Sequence, residues 1–119
     1  MSGQPPGPTE KEAVELMGKL EVAEAAIDQV TWASGYPVYP KAFRDFTEYI
    51  SRSPWHRKDY VEDMKSNLSE RMESLDLGEV RSYFTFLVRV DRFSPGGLLG
   101  QLENGDARRL VERAASLVG

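Results

Sequence analysis

Cysteine is absent from the 119-residue chain. Its absence excludes disulfides, thiolate zinc sites and cysteine nucleophiles, and it suits a reducing compartment. Long apolar runs are absent as well: nothing approaches the ~18 residues a membrane span needs. The opening MSGQPPGPTEKE has neither the basic nor the apolar region of a secretory signal. The expectation is a cytoplasmic protein with no membrane segment. Histidine is reduced to His56 alone, which gives zinc no ligand cluster, and no motif marks a serine for Ser-His-Asp catalysis. The E-x-x-H repeats of a di-metal bundle do not occur. A basic excess is lacking too. The net charge is −4, which argues against a nonspecific grip on DNA or anionic lipid, because that binding needs Lys and Arg against phosphate. The acidic excess lies in residues 1–78, while residues 79–119 are close to neutral. No metal and no cofactor is implied.

What remains is a chain with 40% hydrophobic residues, enough for one core. Residues 1–8 carry three prolines and two glycines and read as a disordered tail, with residues 9–119 as the domain. Thr9-Glu10-Lys11-Glu12 is a capping box. Ala13, Leu16, Leu20, Ala23, Ile27 and Val30 then draw one stripe down a helix that runs to Ser34-Gly35. That stripe serves either its own core or a partner helix, the latter giving a homo-oligomer through the first helix.

Tyr36-Pro37-Val38-Tyr39-Pro40 reads as a rigid, extended link, since each residue before a proline avoids helical backbone. Pro40 starts a second helix that buries Phe43, Phe46, Tyr49 and Ile50, and Ser53-Pro54 stops it. A third helix is expected across Trp55 to Leu75, with a break permitted at Ser66-Asn67-Leu68-Ser69. Asp76-Leu77-Gly78-Glu79 is a second capping box, and it opens a broadly apolar, central helix with Val80, Phe84, Leu87 and Val88. Ser94-Pro95 is read as the start of a short helix with Leu98, Leu99 and Leu102, and Asp106 as the cap of the last one. Strand patterning is nearly absent. The fold class is all-α: a compact single-domain bundle of about five to six helices.

Part of this pattern resembles a known family. Asp76-Leu77-Gly78-Glu79-Val80-Arg81, then Arg89-Val90-Asp91-Arg92-Phe93, then Gly97-Leu98 and Glu103-Asn104-Gly105-Asp106 resemble a bacterial family of small proteins of unknown function. Its pattern is roughly an Asp-Leu helix start, R-x-[ED]-R-F-x-x-G, E-x-G and a closing apolar helix. Tyr36-Pro37-x-Tyr39, Phe43-x-x-Phe46 and Trp55 sit about where that family has an aromatic–proline link, a helix and a Trp. The chain departs at Ser94-Pro95-Gly96, so the motif's glycine falls on Gly96 or Gly97. The resemblance supports the fold and brings no activity.

Two candidate sites follow. Arg89 and Arg92, three apart, share roughly one helix face. With Ser94, Gly96, Gly97 and the helix start behind them, they could bind a small anion or nucleotide. The structural alternative has these arginines favour the helix carbonyl end or bond to Asp76, Glu79 or Glu103, fastening the bundle. The second site is a protein-binding surface on Tyr36, Tyr39 and Trp55. With no catalytic constellation legible, the preferred function is non-enzymatic: a module that binds another protein. A third class, a DNA-reading last helix with Arg108, Arg109 and Arg113, is opposed by the acidic charge and the intervening Glu112.

Overall fold

The computed structural model describes residues 7–52, 54–57, 64 and 67–118. Helix α1 (Glu10–Ala25) starts where the capping box places it. Thr9 is extended, its hydroxyl accepts from the Glu12 amide at 3.2 Å, and the Glu12 carboxylate accepts from the Thr9 amide at 2.9 Å. Leu16, Leu20 and Ala23 are fully buried against the protein's own bundle. Those members of the stripe therefore serve the protein's own core.

The helix ends earlier than the stripe suggests. After Ala25 comes a 3-10 turn (Ile27–Gln29), then an antiparallel hairpin of β1 (Thr31–Ala33) and β2 (Tyr36–Val38). Ser34 and Gly35 both have positive φ, 54° and 81°, as a two-residue primed turn demands. Pro37 pairs with Trp32, one step beyond the closing pair, where the alternating ladder asks for no N–H. The proline fits the strand for that reason. Tyr36–Val38 is extended as expected, but as a strand rather than a bare link.

Helix α2 (Lys41–Ile50) begins just after Pro40 and buries Phe43, Phe46 and Ile50. Ser53, the tail residues 1–6 and most of the expected third helix, including Tyr60, lie outside the described residues. Near its end, Asn67 is left-handed (φ 47°) and opens a 3-10 segment (Leu68–Ser74), so the break falls where Ser66-Asn67-Leu68-Ser69 permits one.

Helix α3 (Leu77–Arg89) is central, packing on α2 and on the two later helices, α4 (Gly97–Glu103) and α5 (Asp106–Ser116). Its Asp76 cap accepts from the Glu79 amide at 2.8 Å, and the Glu79 carboxylate accepts from the Asp76 amide at 3.1 Å. Asp76→Ala should destabilise by about 0.5–2 kcal/mol and Asp76→Asn by less. Urea melts of the two variants check the ranking, and equal losses would contradict the cap. Ser94-Pro95 does not open α4. Gly96 is its cap residue, and the Leu98 amide donates to the Asp91 carboxylate at 3.2 Å instead. Likewise Gly105, at φ +85°, caps α5, and Asp106 is the first helical residue.

Tyr83 on α3 is buried and donates to Gln101 Oε1 at 2.7 Å. Burial, then the charge of Asp106, pushes its pKa from 10.0 up to about 12. The folded state thus keeps a proton that the unfolded chain releases near pH 10. Between about pH 10 and 12 the unfolded state binds fewer protons, so stability falls as pH rises. Burial shifts Tyr39 and Tyr49 in the same direction. Melting temperature should be level just below pH 10 and drop across that window as phenolate absorbance rises; a level profile would refute the assignment.

Candidate functional site

The Arg89-Val90-Asp91-Arg92-Phe93 run divides its side chains between two jobs. Asp91 turns inward to the start of α4, where its carboxylate takes the Leu98 amide. The buried Tyr39 hydroxyl sits beside the same carboxylate, and burial followed by that carboxylate raises its pKa. Asp91 therefore ties the 3-10 turn after α3 to the start of α4. The Ser94–Gly97 glycines serve packing. A Cβ on Gly96, itself left-handed at φ +86°, would lie 2.7 Å from Cη2 of Trp32. A Cβ on Gly97 would lie 2.5 Å from Cγ2 of Val90.

Arg89 and Arg92 do come together, on the other side. They line a cleft of about 160 Å³ with Ser51, His56, Thr85 and Val88. Ser94, Gly96 and Gly97 are not among those lining residues. Asp91 already occupies the start of α4, so the expected union of two arginines with a glycine-rich helix start does not form. The fastening alternative is also altered. Asp76 caps α3, Glu79 pairs with Arg71, and Arg92 is exposed.

The aromatic candidates separate as well. Tyr36 is exposed, and Tyr39 is half-buried and stacks on Phe43 at 4.9 Å. Trp55 is fully buried, edge-on to Phe84 at 5.7 Å, and offers a partner no surface. Its place among exposed residues is taken by Trp32, Val38 and Phe93, which join Tyr36. Trp32 is 55% exposed, Tyr36 61%, Val38 51% and Phe93 62%. The Trp32 ring leans over Gly96, three residues past Phe93, so the hairpin and the α3–α4 turn meet.

The DNA-reading alternative loses its side chains to internal partners. Arg108 grips Glu24 with two bonds of 3.0 and 2.6 Å. Arg109 does the same to Glu73 at 3.0 and 3.1 Å, and Arg113 donates to the Leu75 carbonyl at 2.8 Å. Among the described residues no group of three or more His, Cys, Asp or Glu could hold a metal ion, and no helix is long and apolar enough to cross a membrane. Two further clefts mix charges. One, of 240 Å³, sets Arg109 and Arg113 against Glu73 and Glu112; another, of 300 Å³, sets Lys19 and Arg52 against Glu15, Asp45 and Glu48.

Fold and surface together define a small helical protein with exposed apolar side chains on a short hairpin and, among the described residues, a cleft lined by Arg89 and Arg92. Residues 12–119 match the model of a family of unknown function (DUF6508), and the chain belongs to that family. Comparison with curated proteins and with solved structures finds no match.

Proposed function

We propose that this protein is a non-enzymatic, cytoplasmic module that binds another protein through the hairpin and the α3–α4 turn. The observation that carries this reading is the exposure of Trp32, Tyr36, Val38 and Phe93. Trp and Tyr are the residues that most often dominate binding energy at contact surfaces, and here one of each is exposed on the hairpin. The Trp32 ring is held against Gly96, so little rotamer freedom remains to be lost on binding. Tyr36 stays in the surface first read from the sequence; Tyr39 supports it from below, and Trp55 belongs to the core.

The test is a double variant, Trp32→Ala/Phe93→Ala. Both side chains are mostly exposed, so its stability should stay within about 1 kcal/mol of wild type. Immobilised wild type should retain a stoichiometric protein from extracts of its own cells, and the double variant should lose it. Identical captures by both proteins would sink the reading. Sedimentation of the same pair reports on self-association. Any contribution of α1 would come from Val14 and Val22 on its exposed face, not from the buried stripe.

A further inference from the structure

We infer that β1 is also a contact between two copies of this chain, its free edge pairing antiparallel with the same edge of a second copy, Trp32 against Trp32. The inference rests on the hairpin surface proposed above and names one partner for it. Its basis is the hydrogen bonding of the two-stranded sheet. Thr31 pairs with Val38, Trp32 with Pro37 and Ala33 with Tyr36. The two-residue turn at Ser34 and Gly35 makes Ala33–Tyr36 the closing, hydrogen-bonded pair. Bonding alternates along an antiparallel ladder, so Thr31–Val38 is bonded and Trp32–Pro37 is not. The N–H and C=O of Trp32 and the carbonyl of Pro37 therefore point outward, to the two edges of the hairpin.

Those edges are unequal. Proline has no N–H, so the β2 edge offers a carbonyl alone, one of the ways in which sheet edges are blunted. The β1 edge is exposed at all three residues and carries neither proline nor charge. At Trp32 it offers a donor and an acceptor on one residue, which is self-complementary. A two-fold axis beside Trp32 lets each copy give its N–H to the other's C=O, an isologous contact. The assembly also closes at two. The outer strands of the resulting four-stranded sheet are both β2, each with Pro37 on its free edge.

Charge points the same way. Molecules of net charge −4 repel unless they meet where neither is charged. Residues 29–40 are the longest stretch of the sequence without Asp, Glu, Lys, Arg or His, in a chain that is 29% charged. Directly opposite residues share a face, so Trp32 stands against Trp32 on one side of the sheet. On the other side Ala33 of each copy meets Thr31 of its mate, flanked by Tyr36 and Val38. Area sets the strength. Trp32, Tyr36 and Phe93 are 55–62% exposed, which at roughly 150–250 Å² for a whole ring side chain leaves about 350 Å² per copy. Two copies fall short of the ~1,200 Å² of a stable interface, so the dimer is weak and reversible.

Residue 32 lies beside the axis, which gives a test specific to a second copy. Trp32→Lys sets two like charges opposite each other and should raise the dimer dissociation constant roughly tenfold or more in sedimentation equilibrium of the purified protein. Trp32→Glu should do the same. Mixing equal amounts of the two variants should restore a dimer with one of each, because opposite charges then face across the axis. In the wild type, hydrogen exchange of the Trp32 backbone amide should slow as protein concentration rises, a readout that needs no variant to fold. A wild type that stays monomeric at millimolar concentration, exchange independent of concentration, or a mixture no more associated than its parts would each overturn the inference. The capture experiment fails separately. A foreign protein captured by a chain that stays monomeric overturns the second copy alone, whereas a dimer that captures nothing overturns only the broader reading.

Discussion

Trp55→Ala should cost about 3–5 kcal/mol, the usual loss when a buried aromatic is cut back to alanine. Trp55 has no exposed surface and meets Phe84 edge-on, an aromatic contact that adds to the area it buries. Set against the 5–15 kcal/mol that holds an ordinary domain together, this is a large fraction. The melting temperature should fall by roughly 10–25 °C. Trp32→Ala is the control: the same residue type, but with 55% of its surface exposed, should cost about 1 kcal/mol or less. Chemical melts followed by circular dichroism measure both. Comparable losses in the two variants would contradict the division of the tryptophans into one core residue and one surface residue.

That division is also where the sequence stopped being legible. The two capping boxes could be read directly, because the hydroxyl or carboxylate and its glutamate lie within four consecutive residues. The core faces of α1, α2, α3 and α5 could be read because helical periodicity reports burial wherever a helix exists. The hairpin could not. Ile27 and Val30 continue the stripe of α1 in register, so periodicity extends the helix across Thr31–Ala33. Ser34 is also a poor advertisement for a left-handed turn position, where Asn or Asp would have signalled one. Once β1 is mistaken for helix, Trp32 disappears from view and Trp55 takes its role. The cleft was half legible. The spacing of Thr85, Val88, Arg89 and Arg92 is in the sequence, whereas His56 and Ser51 reach it only through tertiary contacts nearly thirty residues or more away in sequence from Thr85. The partners of the last helix were hidden for the same kind of reason: Arg108 meets Glu24 and Arg109 meets Glu73 only in the folded chain.

Gly97→Ala should destabilise by about 1–3 kcal/mol, the cost of overpacking a well-filled site, even though alanine is the better helix former. The new methyl would sit 2.5 Å from Cγ2 and 3.1 Å from Cγ1 of Val90. Rotating Val90 offers no escape, because a β-branched side chain is stiff at χ1 and turns one methyl in as the other leaves. Either the α4 start must shift, pulling the Leu98 amide off Asp91, or the 3-10 turn must give way. Val90 is 4% exposed, so Val90→Ala alone should cost about 2 kcal/mol through lost methyl burial. In the double variant the alanine at 97 grows into the space that Val90 vacates. The Gly97→Ala/Val90→Ala protein should therefore be about as stable as Val90→Ala alone, well short of the sum of the two single losses. Strict additivity would mean that the two residues do not share that space, since only neighbours couple in such a cycle. Sub-additive losses would make Gly97 a packing residue, consistent with an α4 start that Asp91 already fills.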